Sequence, residues 1–465
     1  MKKPLLENIE ILKIAAGGKS LALVDGKVLF VPDVVPGDVA DVQVTRKRAS
    51  FMEGFAVRLR SYSPLRVPPF CAHFGACGGC KWQHLPYDAQ TRFKQQEVEE
   101  ALRRIGKASL PVVSPIIPSP LTREYRNKLE FTFSDRRFIT RREISEGAVI
   151  EHTPALGFHA AGLFDKVVDV ARCHLQPEPS NAIRDFVRRH ALARGLSFYS
   201  IRERRGLLRA LIIRTATAGQ VMVIVVFGED RPAPRRELLD ALADEFPSIT
   251  TLLYAVNEKG NDALADLHLP VHRGPGYIIE EMDGLRFKIG PKSFCQTNPL
   301  QALNLYRETR ALARLTGNET VYDLYTGAGA IALFAARSAR RVIGVESVPE
   351  AIADARENAA LNGISNARFF AGDMKDVLTA AFLSEHGRPD AMITDPPRAG
   401  MHPAVISTIL AAAPSRLVYV SCNPATQARD IQLMQPAYRV TAVQPVDMFP
   451  HTHHVENIVL LERDE

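Results

Sequence analysis

The sequence lacks the features of a membrane or secreted protein. No apolar run reaches the length of about 20 residues that a membrane-spanning helix needs. The N-terminal segment begins with charge, and acidic residues interrupt it before any long apolar region, so we expect no signal peptide. These absences lead us to expect a cytoplasmic protein without membrane contact. Internal repeats and low-complexity segments are also missing, which excludes a repeat architecture.

Cysteine is scarce, with six residues in a chain of 465. Thiols in the cytoplasm are usually reduced, and a chain with this few cysteines cannot be a disulfide-dense scaffold. Clustered cysteines in such a chain indicate metal binding or catalysis before disulfides. The six are Cys71, Cys77, Cys80, Cys173, Cys295 and Cys422.

The composition is that of an ordinary globular protein, with 46% hydrophobic and 24% charged residues. The length is enough for two or three domains, and a monomer is the default expectation. The formal net charge is +6 and the pI is about 9.0. This mild basicity is compatible with a nucleic-acid partner but does not establish one.

Sequence patterning divides the chain into three predicted domains. Residues 1–62 contain short β-branched runs separated by Asp-Gly and Pro-Gly-Asp turns, which predicts a small β-barrel of the OB or SH3-like kind. Its basic flank indicates RNA contact or a solvated face. Residues 63–284 predict a central α+β domain that opens with a Pro-, Gly- and Cys-rich loop. Residues 285–465 alternate strands with helices, as in a doubly wound α/β domain.

The cysteine-rich loop has metal-ligand spacing. Cys71-x5-Cys77-x2-Cys80 supplies three thiols, and Cys173 is the only plausible fourth from the central region. Zinc and iron–sulfur clusters both accept four thiolates, so the spacing leaves the identity of the metal open.

A glycine turn and three acidic residues at strand ends predict a nucleotide site. Asp323 lies just before Gly327 and Gly329 of the turn, and the next two strands end at Glu346 and Asp373. A carboxylate at the end of the second strand can accept hydrogen bonds from ribose hydroxyls. Position 332 is Ala, so the third glycine of a dinucleotide fingerprint is missing. The pattern therefore favours S-adenosylmethionine over a dinucleotide.

Two further strand ends carry residues with potentially reactive side chains. Asp395 and Cys422 each follow an apolar strand, so both are expected at the carboxyl edge of the sheet, where ligands of open α/β sheets bind. A cysteine at a strand end is often only a small buried hydrophobe. Here Asn423 and Pro424 break the strand directly after it, which places the thiol at the edge of the sheet.

A methyl donor and a thiol in one crevice suit methylation of a pyrimidine at carbon 5. That carbon is a poor nucleophile until a thiolate adds to carbon 6 of the ring. A general base must afterwards remove the proton from carbon 5. Glu456, beside the last predicted strand, is the candidate base, although such a carboxylate could also lie on the surface.

With these features the chain resembles the S-adenosylmethionine-dependent RNA 5-methyluridine methyltransferases over essentially its whole length. The motifs that carry the resemblance are PKSFCQTN, DLYTGAG, DPPRAG, VSCNPAT and HHVEN. The resemblance implies a Rossmann-like class I methyltransferase domain, with Cys422 as nucleophile and Glu456 as base. It implies donor binding by Gln296, Tyr325, Glu346 and Asp395, with Asp373 as an adenine-side contact. Cys295 departs from the family pattern, in which an aromatic residue is common.

The resemblance extends to the additional modules. It implies a TRAM-type RNA-binding barrel at the N-terminus and a [4Fe-4S] cluster on Cys71, Cys77, Cys80 and Cys173. These additions favour 23S ribosomal RNA as the substrate, with transfer RNA second, and the target uridine must flip out of any stack. A non-catalytic iron–sulfur RNA-binding factor and a dinucleotide oxidoreductase are the alternatives, and neither uses Cys422 and Glu456.

Overall fold

The computed structural model describes residues 3–147 and 153–464. The chain divides into two compact units. The first comprises Met1–Gly75, Cys80–Thr122 and Asp390–Glu465, and the second comprises Ala76–Gly79 and Arg123–Pro389. The first unit thus combines the N-terminal and C-terminal parts of the chain. Within the described ranges, no helix is both long enough and apolar enough to cross a membrane.

The N-terminal part of the first unit is a β-sheet followed by a helix. Its elements are β1 (Leu5–Glu10), β2 (Lys13–Ile14), β3 (Ser20–Val24), β4 (Lys27–Val31), β5 (Val39–Lys47), β6 (Phe51–Ser61) and α1 (Tyr87–Arg104). The six strands form one sheet in the order β1-β5-β6-β4-β3-β2. Leu29, Val42 and Met52 lie in its apolar core. The turns require glycine, since Gly26 and Gly37 have φ of 76° and 89°.

The second unit begins with a seven-stranded sheet. Its elements are β7 (Lys128–Ser134), α2 (Arg141–Ser145), β8 (Ala155–His159), β9 (Val167–Asp169), α3 (Ser180–Ala193), β10 (Leu208–Thr215), β11 (Val221–Phe227), α4 (Pro232–Glu245), β12 (Thr251–Val256) and β13 (Val271–Arg273). The strand order is β13-β12-β11-β10-β7-β8-β9. Every residue of β11 is buried, which explains why this strand reads as an unbroken apolar run.

The second unit continues with a hairpin and alternating helices and strands. These are β14 (Ile278–Met282), β15 (Leu285–Ile289), α5 (Pro299–Ala313), β16 (Thr320–Leu324), α6 (Ala330–Ala336), β17 (Arg341–Glu346), α7 (Pro349–Leu361), β18 (Ala367–Ala371), α8 (Met374–Val377) and α9 (Ala380–His386). Strand β17 pairs in parallel with both β16 and β18. Their carboxyl ends therefore share one edge, as the β–α alternation predicts.

The C-terminal part of the first unit has the same alternation and then an antiparallel pair. Its elements are β19 (Ala391–Thr394), α10 (Pro403–Ala412), β20 (Arg416–Ser421), α11 (Pro424–Met434), β21 (Tyr438–Val446) and β22 (Glu456–Arg463). Strands β19 and β20 are parallel, and β22 lies antiparallel between β20 and β21. Because β22 runs antiparallel to β20, β22 begins at the edge of the sheet where β20 ends. The first residue of β22 therefore lies at that edge.

Helix α1 joins the two parts of the first unit. It packs against α11 and β21. The Lys94 ammonium donates to Asp447 at 2.6 Å, and both side chains are fully buried. Lys94 also donates to the Phe449 carbonyl at 3.0 Å. A buried ion pair with one partner removed costs about 3–5 kcal/mol, so this contact fixes the segment that leads into β22.

Candidate active site

Cys422 directly follows β20, at the position that the sequence predicts. Asn423 ends the strand and caps α11, because its side chain accepts from the Ala425 amide at 3.1 Å. Pro424 occupies the first turn of α11, where its missing amide proton costs nothing. The Cys422 thiol is partly buried and forms no disulfide. The strand and the cap together hold it at the edge of the sheet.

Glu456 is the first residue of β22 and is only 4% exposed. The antiparallel register pairs Ser421 with Asn457. Continuing that register by one residue puts Cys422 opposite Glu456. The candidate nucleophile and the candidate base therefore lie at the same end of two neighbouring strands. Sequence placed each beside a strand, but the pairing depends on a contact between distant segments.

Burial and the neighbouring charges oppose ionisation of the Cys422 thiol. Burial, followed by the nearby Glu456 and Asp395 carboxylates, raises the pKa of the Cys422 thiol to about 11. Burial raises the pKa of Asp395 to about 7. Burial and the Asp395 charge raise the pKa of Glu456 well above its usual value. Arg398 opposes these effects on both Cys422 and Glu456, so it is the cation that favours their ionised forms.

The loop after β19 is attached to the start of α11. The Arg398 carbonyl accepts from Asn423 Nδ2 at 3.0 Å and from Thr426 Oγ1 at 3.2 Å. Asn423 therefore caps its own helix and also holds the neighbouring loop. This double role places the Asp395–Arg398 segment beside Cys422.

Asp430 on α11 secures the other end of the same loop. Its fully buried carboxylate accepts from the Met401 amide and the Tyr419 hydroxyl, both at 2.7 Å. It also pairs with the Arg429 guanidinium at 2.6 Å. Gly400 has φ of 77°, and a Cβ there would lie 2.6 Å from Asp430 Oδ2. Only glycine fits this position without a shift of the loop.

In the second unit, the predicted glycine turn connects β16 to α6. Tyr325, Gly327 and Gly329 all have positive φ, of 62°, 55° and 85°. Glu346, at the end of β17, accepts from the Gly327 amide at 3.2 Å and from the Val348 amide at 3.0 Å. The carboxylate thus fixes the backbone of the turn through the Gly327 amide, and it has further lone pairs for a ligand.

Two other predicted donor-binding residues, Asp373 and Gln296, also have contacts within the second unit. Asp373 caps α8 by accepting from the Lys375 amide at 3.2 Å, so part of its acceptor capacity is already used. The Gln296 carbonyl accepts from Asn127 Nδ2 at 3.2 Å, which ties the loop before α5 to the start of β7. Cys295 packs against an apolar cluster, and burial raises the pKa of its thiol to about 12.

Sequence reasoning missed two residues, one in the loop before α5 and one directly before β7. Phe294 is 76% exposed, which is unusual for a large aromatic side chain next to a predicted ligand contact. Asn127 positions Gln296 from 169 residues away. An aromatic residue in a Pro- and Ser-containing loop was a usable signal for Phe294. No local signal identifies Asn127, because its partner is distant in sequence.

The predicted cysteine cluster has no support in the described residues. Cys71 and Cys80 belong to the first unit, and Cys77 and Cys173 belong to the second. Among residues 3–147 and 153–464, no three His, Cys, Asp or Glu side chains are grouped so that they could hold a metal ion. Four thiols are the donor set that an iron–sulfur cluster takes, and the proposed reaction needs no chemistry from such a cluster.

Comparison with known proteins identifies the family. Residues 281–464 match the family described as tRNA (Uracil-5-)-methyltransferase. A protein of Bacteroides thetaiotaomicron, described as an uncharacterized RNA methyltransferase, is 56% identical over 97% of this chain and 100% of its own. A protein of Porphyromonas gingivalis with the same description is 54% identical over 98% of this chain and 100% of its own.

A solved structure agrees with these relatives. The tRNA (uracil-54, C5)-methyltransferase of Pyrococcus abyssi, in complex with S-adenosyl-L-homocysteine, is 28% identical to this chain with a TM-score of 0.74. The match covers 98% of this chain and 100% of that structure. It bears out the predicted Rossmann-like methyltransferase sheet. The chain therefore belongs to the RNA (uracil-5-)-methyltransferase family and is an S-adenosylmethionine-dependent enzyme that methylates RNA.

Proposed function

We propose that the protein forms 5-methyluridine in RNA, with Cys422 as the nucleophile and Glu456 as the general base. The observation that carries this proposal is the β20–β22 register, which brings the thiol and the carboxyl to the same end of neighbouring strands. Both groups have raised pKa values, and perturbed pKa values cluster at catalytic sites.

The two residues act in sequence. The Cys422 thiolate forms a bond to carbon 6 of the uracil ring, which makes carbon 5 nucleophilic. Bound S-adenosylmethionine supplies the methyl group for carbon 5. Glu456 then takes the proton from carbon 5, and the carbon–sulfur bond to Cys422 breaks as the ring double bond re-forms. A carboxylate with a raised pKa is a stronger proton acceptor, which suits Glu456 to this step.

Arg398 supplies the charge that this sequence needs. The Cys422 thiol has to lose its proton before it can attack, and burial opposes that loss. The Arg398 guanidinium lowers the pKa of both Cys422 and Glu456. We assign Arg398 to stabilising the thiolate, while Asp395 contacts either the donor or the edge of the uracil.

Five residues that the sequence predicts as donor contacts are proposed to bind S-adenosylmethionine. The residues proposed are Gln296, Tyr325, Glu346, Asp373 and Asp395. Glu346 is supported best, because its carboxylate already organises the glycine turn and still has acceptor capacity for ribose hydroxyls. Phe294 is proposed to stack on a base of the RNA, since exposed aromatic rings serve that purpose in recognition of single-stranded segments.

We propose 23S ribosomal RNA as the substrate, with transfer RNA as the second candidate. The second candidate is favoured by the Pyrococcus abyssi enzyme, which is described as acting on tRNA. Because that match covers 98% of this chain, the N-terminal sheet does not distinguish the two RNAs. We also propose three domains: a TRAM-type RNA-binding barrel at residues 1–62, a central domain at residues 63–284 and the catalytic domain at residues 285–465. The protein is proposed to be a cytoplasmic monomer.

The iron–sulfur cluster also stays a proposal. Its support is the spacing of Cys71, Cys77 and Cys80 and the presence of Cys173. Anaerobically purified protein should show brown absorbance and bound iron, and Cys77→Ser should lose both. Cys295→Ser is the matched control, because Cys295 lies outside the proposed ligand set. An absorbance spectrum that is the same for Cys77→Ser as for the wild type would refute the cluster.

The function is tested with labelled S-adenosylmethionine and unmodified ribosomal or transfer RNA, followed by mass spectrometry of the nucleosides. We expect 5-methyluridine in ribosomal RNA. Cys422→Ala should abolish the product while leaving binding of the donor unchanged, and Glu456→Gln should accumulate a covalent RNA–protein adduct. Cys295→Ala and Glu462→Gln are matched controls that keep activity. Product in transfer RNA alone would overturn the substrate, and activity of Cys422→Ala would overturn the mechanism.

A further inference from the structure

A buried pair of amides lies next to the reactive residues. Gln427 on α11 and Asn457 on β22 are both fully buried. Asn457 Nδ2 donates to Gln427 Oε1 at 2.7 Å. Gln427 Nε2 donates to the backbone carbonyl of Asn457 at 3.2 Å and to that of Tyr419 at 2.9 Å. One glutamine side chain therefore joins a helix to two strands.

The pair links the segments that carry the two reactive groups. Gln427 lies on the helix that begins directly after Cys422, and Asn457 follows Glu456 in the chain. On the β20 side the backbone ladder ends at the pair Ser421–Asn457 and does not join Cys422 to Glu456, whereas on the β21 side Glu456 pairs with Val446. The amide contacts are thus the nearest fixed link between the start of β22 and the helix beside the thiol.

The energetics argue that this pair does more than fill space. Burying an amide costs free energy unless every polar atom is hydrogen-bonded. Asn457 Oδ1 has no hydrogen-bond partner within the described part of the chain. An apolar pair of similar volume would avoid that cost, but it could not hold the carbonyls of Tyr419 and Asn457 in fixed directions.

We infer that Gln427 and Asn457 are positioning residues that hold the Glu456 carboxylate where it can take the carbon 5 proton of the adduct on Cys422. This inference rests on the proposed function. Asn457 adjoins Glu456, and its carbonyl is held by Gln427, so loss of the pair shifts the base. Cys422 keeps its own support from β20 and from the Asn423 cap. A displacement of about 1 Å can slow a catalytic step by ~100-fold.

The experiment compares Gln427→Met, Asn457→Ala and the double variant with a matched control, Gln444→Met. Gln444 is a buried amide of the same unit whose Nε2 donates to the carbonyls of Pro115 and Pro445, both at 2.9 Å. Each variant is assayed on one RNA that the wild type methylates. The same RNA is also prepared with 5-fluorouridine at the target, because fluorine on carbon 5 cannot be removed as a proton.

We expect Gln427→Met and Asn457→Ala to lower kcat by about 10- to 100-fold on uridine RNA, with KM for RNA changed less than threefold. Denaturation-resistant adduct should accumulate during turnover. Trapping by 5-fluorouridine RNA should keep its wild-type rate, because addition of Cys422 and methyl transfer precede the impaired step. The double variant should lose no more than Gln427→Met, since Gln427→Met already removes the hydrogen bond that Asn457→Ala removes.

Gln444→Met should lose thermal stability without accumulating adduct. The inference is refuted if Glu456→Gln traps adduct but neither Gln427→Met nor Asn457→Ala does, or if Gln444→Met lowers kcat and accumulates adduct to the same extent. Asn457→Ala removes only one donated bond, so it tests the inference even if Gln427→Met does not fold. If Glu456→Gln itself traps nothing, the proposed base is wrong and the positioning role is rejected with it.

Discussion

Replacing Glu456 by Gln removes a negative charge beside the Cys422 thiol and should lower the pKa of that thiol. The Glu456 carboxylate raises the Cys422 pKa after burial, which is the largest cause. Asp395, with a pKa of about 7, is ionised over the pH range in which the thiol titrates. The Glu456→Gln variant therefore isolates one of the two neighbouring charges while leaving the packing nearly unchanged.

The structure limits the size of the effect. Burial and neighbouring charges raise the Cys422 pKa from 9.0 to about 11. Each pKa unit changes the thiolate fraction tenfold, so about one thiol in a thousand is ionised at pH 8 in the wild type. Because burial remains in the variant, its pKa should fall between these two values. The thiolate fraction at pH 8 should then rise, but by less than ~100-fold.

The assay is alkylation by iodoacetamide between pH 7 and 11, with the Cys422 peptide quantified by mass spectrometry. Cys295 is an internal reference, since burial raises its pKa to about 12 and it should react more slowly. Arg398→Met should shift the Cys422 pKa in the opposite direction, because Arg398 lowers it. A wild-type pKa at or below 9, or a pKa that increases in Glu456→Gln, would refute this account of the site.

Four further substitutions test other parts of the structure. Burial raises the Asp395 pKa from 3.8 to about 7, so the wild type loses stability as the pH rises through that window. Asp395→Asn should therefore be more stable than the wild type at pH 8 and equally stable at pH 4. The gain in the free energy of unfolding, measured in urea, should not exceed about 4 kcal/mol, and equal stabilities at pH 8 would contradict the prediction. Gly400→Ala should cost about 1–3 kcal/mol in the same measurement, since alanine is strained at a φ of 77°. Lys94→Met should cost about 3–5 kcal/mol by leaving the buried Asp447 carboxylate uncompensated, and an unchanged unfolding midpoint would refute the importance of that pair. Glu346→Ala should weaken binding of S-adenosylmethionine by about tenfold in calorimetry, because the Gly327 amide of the glycine turn and the Val348 amide before α7 both lose their acceptor.

Local signals in the sequence were sufficient for the elements that carry the site. Asn423 and Pro424 end β20 and start α11 through contacts with their immediate neighbours, so the position of Cys422 at a strand end could be predicted. The glycine turn before α6 and the acidic end of β17 are equally local.

The relation between these elements needed the tertiary structure. Glu456 faces Cys422 because β22 runs antiparallel to β20, and no local pattern specifies that direction. The Gln427–Asn457 pair joins residues 30 positions apart, and Lys94 meets Asp447 across 353 positions. Such contacts depend on which surfaces become buried together. The sequence by itself therefore determined where strands end and which chemical groups stand there, because caps and turns form between near neighbours. Only the folded chain decided which groups share a charge environment, because burial and strand pairing join segments that are distant in sequence.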